Sequence, residues 1–130
     1  MNPGRTILAV LVGYLTLIVL EVIGGFMLSA VLRGQMHGSA LYGGEIIVLV
    51  SGVIAGAVTA RLAPSRPLSH ATALALAIVS ATSVATAISR PPAHALFPAW
   101  YPYVAAVLGG VGAFVGGALA SSGAQESDER

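Results

Sequence analysis

The chain has 130 residues, of which 56% are hydrophobic and only 8% are charged, whereas about a quarter of a typical soluble domain is charged. Its formal net charge of +1 provides no basic surface for nucleic acid, which is excluded as a partner. Because the chain has no cysteine, disulfides, thiolate metal sites and cysteine nucleophiles are excluded too. This composition predicts one all-α domain, residues 1–120, embedded in a lipid bilayer.

The first apolar segment covers residues 6–32 and contains a single charge, Glu21. A bilayer-spanning helix needs about 20 residues, whereas a cleavable signal peptide has an apolar core of only about 7–15. The segment is too long for a signal peptide and carries an acid near its middle. It therefore predicts a retained transmembrane helix.

Glu21 is the strongest candidate for a proton or cation site. At 1.5 Å per residue it lies roughly 16 Å from the far end of its helix, near the bilayer centre. An acid at that depth is costly and usually faces the interior of a bundle. Tyr14 and Gly25 share its helical face, so a hydroxyl lies nearby. The structural alternative is a neutral carboxyl that hydrogen-bonds a serine or threonine of the third helix.

The second predicted helix, residues 41–62, carries a ladder of small residues at spacings of four, which lets two membrane helices approach closely. The ladder consists of Gly52, Gly56 and Ala60. Glu45 falls near the same face, one turn inside the helix. It is expected either to pair with Arg33 or Arg90 or to take part in the proton or cation site.

The third predicted helix, residues 68–88, lacks charged residues and is rich in alanine, so much of it is expected to face other helices. Its alanine ladder consists of Ala73, Ala77, Ala81 and Ala85. His70, at its start, is expected to be a surface or capping residue. The fourth predicted helix covers residues 100–120 and begins with aromatic residues typical of a membrane interface. The polar, acidic tail, residues 121–130, is expected to be disordered.

The small residues of the second helix recur in the fourth helix with the same spacing. The matching residues are Gly112, Gly116 and Ala120. This faint repeat favours two tandem helix hairpins inserted in the same orientation. The alternative is that glycine-rich membrane helices resemble one another by chance.

The distribution of arginine predicts the orientation of the chain. Four of the six arginines flank the N-terminus, the connection after the second helix and the tail, namely Arg5, Arg61, Arg66 and Arg130. Because cytoplasmic loops carry an excess of basic residues, both termini are expected in the cytoplasm.

The sequence contains little evidence for a metal site or for catalysis. His37 lies in the loop after the first predicted helix and His94 in the loop after the third. With Glu45 they offer only three scattered metal ligands. Motifs such as G-x-S-x-G, H-E-x-x-H and G-x-x-x-x-G-K-[ST] are absent. The sequence therefore predicts a non-enzymatic protein with no metal site and no cofactor.

Two stretches of the sequence, GGEIIVLVSGVIAGAVTARLAPSRPLSHATAL and PAWYPY, resemble uncharacterised bacterial four-helix membrane proteins. The resemblance rests on the glycine ladder, the A-R-L-A-P turn, the histidine after R-P-L and the aromatic entry to the last helix. It implies an integral protein of the bacterial cytoplasmic membrane and implies no substrate. The small multidrug-resistance transporters are similar only in layout, and the Asn and Phe motifs of fluoride channels are absent.

The leading interpretation is thus a four-transmembrane-helix bundle that acts through helix packing. It would be an accessory or oligomerising subunit, in a homo-oligomer or a larger membrane complex. The alternative is a small proton- or cation-coupled transporter or channel that uses Glu21, with Glu45 and Tyr14 beside it.

Overall fold

A computed structural model describes residues 3–33, 38–63, 65–89 and 97–128. Its helices are α1 (Pro3–Val31), α2 (Gly38–Leu62), α3 (Pro67–Ser89) and α4 (Tyr101–Asp128). Each helix contains a segment long and apolar enough to cross a membrane, namely Gly4–Val31, Ala40–Leu62, Pro67–Ser89 and Tyr101–Gly123. The predicted all-α architecture is confirmed, and the chain is a multi-pass membrane protein.

The helix bounds lie close to the predicted ones except at the C-terminus. α3 begins with Pro67, at the helical position where a missing N–H group costs nothing. α4 continues to Asp128 rather than ending at Ala120. The Ser121 hydroxyl donates to the Gly117 carbonyl oxygen one turn earlier, at 2.5 Å. Since no proline follows Ala120, the polar composition of the tail does not end the helix.

The helices form two hairpins that lie side by side. One end of the bundle, here called the hairpin end, holds the C-terminal ends of α1 and α3 and the N-terminal ends of α2 and α4. The other end, here called the terminal end, holds the start of α1, the end of α2, the start of α3 and the end of α4. Around the bundle the order is α1, α2, α4, α3, so the parallel helices α2 and α4 are neighbours. α1 and α3 pack sparsely, and within the described residues α1 and α4 do not pack against each other.

The closest packing joins α2 to α4, and glycine permits it. A Cβ atom added at Gly56 would overlap the carbonyl oxygen of Ala113, and one added at Gly116 would overlap that of Val53. The backbones of the two helices are therefore in direct contact. Such contact gains dispersion energy from many atom pairs at once.

The contacts between α2 and α4 recur with an offset of 60 residues. A Cβ atom at Gly52 would lie 2.5 Å from the carbonyl oxygen of Gly109. Sixty residues later, a Cβ atom at Gly112 would lie 2.5 Å from the carbonyl oxygen of Leu49, and Leu49 is itself offset by 60 from Gly109. The two helices are thus related by an approximate two-fold axis parallel to them, as in a parallel repeat of two hairpins.

All four helices contribute to one apolar core near the middle of the bundle. It consists of Leu17 from α1, Ala55 from α2, Leu74 and Ile78 from α3, and Ala113 from α4. Leu74 is completely buried. This core holds α1 and α3 against the α2–α4 pair at mid-height.

His70 is buried, with 6% of its surface exposed, so the predicted surface position is wrong. Its Nδ1 atom lies 3.1 Å from the Arg66 carbonyl oxygen, to which it can donate. Its Nε2 atom is buried and has no hydrogen-bond partner within the described ranges. The physical reason for burial is the neighbouring contact of Ala71 with Gly117, because the missing side chain on α4 lets α3 approach closely.

The alanine ladder of α3 lies largely on the outside of the bundle. Ala73, Ala81 and Ala85 are exposed and Ala77 is half-buried. In a single chain this face does not meet another helix over most of its length, contrary to the expectation from its composition.

Candidate functional site

Two glutamates and a tyrosine from three helices lie in the half of the bundle toward the hairpin end. They are Glu21 on α1, Glu45 on α2 and Tyr101 at the start of α4. The Tyr101 hydroxyl lies against α2 at Gly44, next to Glu45, and Glu21 lies on α1 in the same half of the bundle. We call these three residues the acid–tyrosine cluster.

Glu45 is the most constrained member of the cluster. Both of its carboxyl oxygens are buried, and neither has a hydrogen-bond partner in the part of the chain that the structure describes. The expected ion pair with Arg33 is therefore absent, because Arg33 is exposed at the end of α1; Arg90 lies outside the described residues. An unpaired ionised carboxyl costs several kcal/mol when buried. The group is accommodated at lower cost when it holds a proton or binds a cation.

Tyr101 reaches α2 because Gly44 has no side chain. A Cβ atom at Gly44 would overlap the Tyr101 hydroxyl oxygen. An aromatic residue just before α4 holds the Tyr101 ring in place. The ring stacks on Phe97, with ring centroids 4.9 Å apart. It also meets Trp100 in a tilted arrangement at 6.1 Å. Glycine on one helix and aromatic rings on the other thus place a phenol beside Glu45.

Glu21 is half-buried on α1, in the half of the bundle toward the hairpin end. The serine and threonine hydroxyls described on α3 do not hydrogen-bond to it; that of Thr86, for example, donates to the Thr82 carbonyl oxygen at 2.8 Å. A Cβ atom added at Gly25 would meet no atom within 4 Å, so α1 is open on this side. Glu21 therefore has space beside it instead of a fixed partner.

A groove of about 350 Å³ lies between α1 and α3 and extends to the first turn of α4. It is lined by Tyr14, Ala81, Thr82, Ala85, Thr86, Ser89 and Pro102. Its width follows from the small side chains on α3 and from the sparse packing of α1 against α3. Tyr14 lies two turns from Glu21 on the same helix, and Pro102 follows Tyr101 in sequence, although the cluster residues themselves do not line the groove.

The residues predicted for helix packing all lie in α2 and α4. Gly52, Gly56, Gly112 and Gly116 lie where these two helices meet, Ala60 is buried and Ala120 is half-buried.

His37 and His94, considered as metal ligands with Glu45, lie outside the described residues. Within the described ranges there is no group of three side chains suited to hold a metal ion. Comparison of the chain with protein-family models, with curated proteins and with solved structures finds no match.

Proposed function

We propose that this protein is a small proton- or cation-coupled transporter or channel, with the acid–tyrosine cluster as its ion site. The observation that carries the proposal is the Glu45 carboxyl, which is buried without a partner in the described part of the chain. Acids inside membrane spans are costly and usually mark ion pathways or proton relays. A second acid, Glu21, lies inside the α1 span in the same half of the bundle.

Binding at the cluster follows from the burial of the Glu45 carboxyl, which disfavours its ionised form. One proton or one cation removes this cost, and the Tyr101 hydroxyl offers a further oxygen beside it. A site that is neutralised by loading and costly when empty suits coupled transport.

Access to the cluster is proposed through the groove between α1 and α3. The hydroxyls of Thr82, Thr86 and Ser89 line it together with Tyr14. Hydroxyl oxygens can replace part of the water shell of a cation, or order a chain of waters for a proton. Apart from the Tyr14 hydroxyl, these hydroxyl groups all belong to α3.

Assembly with a second copy, or with other subunits of a membrane complex, is a second proposal. Its support is the exposed alanine face of α3, which includes Ala73 and Ala81 and would allow close helix approach. The glycine ladders give less support, because α2 and α4 use them within one chain. Size measurement of the detergent-solubilised protein, before and after Ala73→Leu, tests this assembly.

The setting we propose is the bacterial cytoplasmic membrane, with both termini in the cytoplasm and no enzymatic activity. The arginine distribution supports the orientation, since Arg5, Arg61 and Arg66 all belong to the terminal end. The resemblance noted in the sequence supports the bacterial setting.

Proton or cation flux into liposomes tests the transport function. The purified protein is reconstituted with a pH-sensitive dye inside, and a pH gradient or a cation gradient is applied. Glu45→Gln and Glu21→Gln keep the size of each side chain but remove its charge, so each should reduce flux at least tenfold. Glu126→Gln makes the same change outside the four spans and should leave flux unchanged.

A second pair of variants tests whether the Tyr101 hydroxyl is needed for flux. Tyr101→Phe removes the hydroxyl that lies beside Glu45 and should reduce flux, whereas Tyr103→Phe, at an exposed position, should not. Parent-level flux in both Gln variants would refute the transport proposal. No flux from the parent under proton, sodium and potassium gradients would refute it as well.

A further inference from the structure

A second pocket, of about 420 Å³, lies between α1 and α2 at the terminal end of the bundle. Its lining residues are Arg5, Leu8, Ala9, Val12, Arg61 and Leu62. It is far from the acid–tyrosine cluster, which lies toward the hairpin end. It shares no residue with the groove between α1 and α3. We call it the arginine pocket.

Two arginines from different helices meet at this pocket. Arg5 lies in the first turns of α1 and Arg61 in the last turn of α2. Neither forms an ion pair with an acid among the described side chains. Two cations at one pocket repel each other, and an anion between them removes that repulsion. Arginine is the side chain best suited to hold a phosphate, because its planar fork donates two parallel hydrogen bonds.

The other four lining residues are apolar, and the pocket lies where two membrane spans end. The α1 span begins at Gly4 and the α2 span ends at Leu62, so both arginines lie at the level of the lipid headgroups. Leu8 and Val12 continue the pocket along α1 toward the bilayer interior. A ligand that fits this surface has a phosphate at one end and a hydrocarbon chain at the other.

We propose that the arginine pocket binds the headgroup phosphate of an anionic phospholipid, with one acyl chain along Leu8 and Val12. Basic pockets between transmembrane helices bind such headgroups by the same combination of charge and apolar surface. The bound lipid joins α1 to α2 at the end of the bundle where these helices are joined by no loop.

Native mass spectrometry of the detergent-purified protein tests the proposal directly by counting bound lipid. Phosphatidylglycerol and phosphatidylcholine with identical acyl chains are added separately to the parent and to Arg5→Gln and Arg61→Gln. Arg66→Gln is the matched control, since Arg66 is exposed at the same end but does not line the pocket. Circular dichroism first establishes that all variants keep the parent's helix content.

The parent should bind phosphatidylglycerol in preference to phosphatidylcholine. Each pocket variant should bind the anionic lipid about fivefold more weakly, the factor that corresponds to about 1 kcal/mol per arginine near a lipid surface. The control variant should bind like the parent. Parent-level binding by both pocket variants, or an equal loss in the control, would overturn the proposal.

A competition experiment distinguishes a lipid headgroup from free phosphate as the ligand of the arginine pocket. Inorganic phosphate at millimolar concentration lacks the acyl chain and should not displace phosphatidylglycerol from the parent. If it displaces the lipid completely, the pocket is a site for free phosphate and the lipid assignment is wrong.

Discussion

Replacing Gly56 by alanine tests the contact between α2 and α4 most severely. An ordinary van der Waals contact of a Cβ atom is 3.4–4 Å, yet a Cβ atom at the neighbouring Gly52 would lie only 2.5 Å from a carbonyl oxygen. The approach at Gly56 is closer still, and it involves the backbone of Ala113. Backbone atoms cannot rotate away, so the two helices must separate by about 1 Å or more.

The energetic cost of that separation can be estimated. A gap of about 0.5–1 Å removes about a quarter to a half of the dispersion energy of each atom pair. Overpacking of this kind typically costs about 1–3 kcal/mol, and we expect Gly56→Ala near the upper end. The offset of 60 residues predicts that Gly116→Ala costs about the same. The double variant should cost less than the sum, because the first change has already separated the helices.

The free energy of unfolding in detergent micelles, followed by circular dichroism through a denaturant titration, measures these costs. Gly25→Ala is the control, because a Cβ atom there meets nothing within 4 Å. It should raise the free energy of unfolding by about 0.4–1 kcal/mol, the usual gain from Gly→Ala at an unhindered helix position. The reasoning would be refuted if Gly56→Ala and Gly25→Ala had equal effects, or if Gly56 and Gly116 gave plainly different costs.

Two other predictions use the same purified protein or whole cells. Leu74→Ala should lower the free energy of unfolding by about 2–5 kcal/mol, since Leu74 is fully buried, whereas Leu76→Ala, at 64% exposure, should have little effect; equal losses would contradict the described core. For topology, single cysteines replacing Ser65 and Ser122 should be labelled only from the cytoplasm and one replacing Ser39 only from outside. The reverse pattern would invert the proposed orientation, and labelling from both sides would indicate dual insertion.

The four spans could be predicted from the sequence because a bilayer makes the length of an apolar run decisive. The end of α4 could not be predicted as well, since Gln125 and Asp128 are typical of a soluble tail and are also compatible with a helix. Composition separates apolar from polar segments more reliably than helix from coil.

The sequence could not show which helices are neighbours in the bundle. The spacing of Gly52 and Gly56 indicated that α2 would approach another helix, but a helix of the same chain and a helix of another copy satisfy that spacing equally. Tyr101 was predicted only as an interfacial aromatic, because its role depends on Gly44, which is distant in sequence. His70 looked exposed at a helix start, and only the nearby Gly117 on the facing helix explains its burial.

The order in which the helices are synthesised gives the α2–α4 contact a consequence for membrane insertion. The glycine face of α2 packs against α4, which is not yet made when α2 enters the bilayer. At about 5–20 residues per second, α4 follows α2 after roughly 3–13 s. During that interval lipid or the insertion machinery must cover the backbone at Gly52 and Gly56. The first hairpin thus waits in the membrane without its tightest partner until α4 has been made.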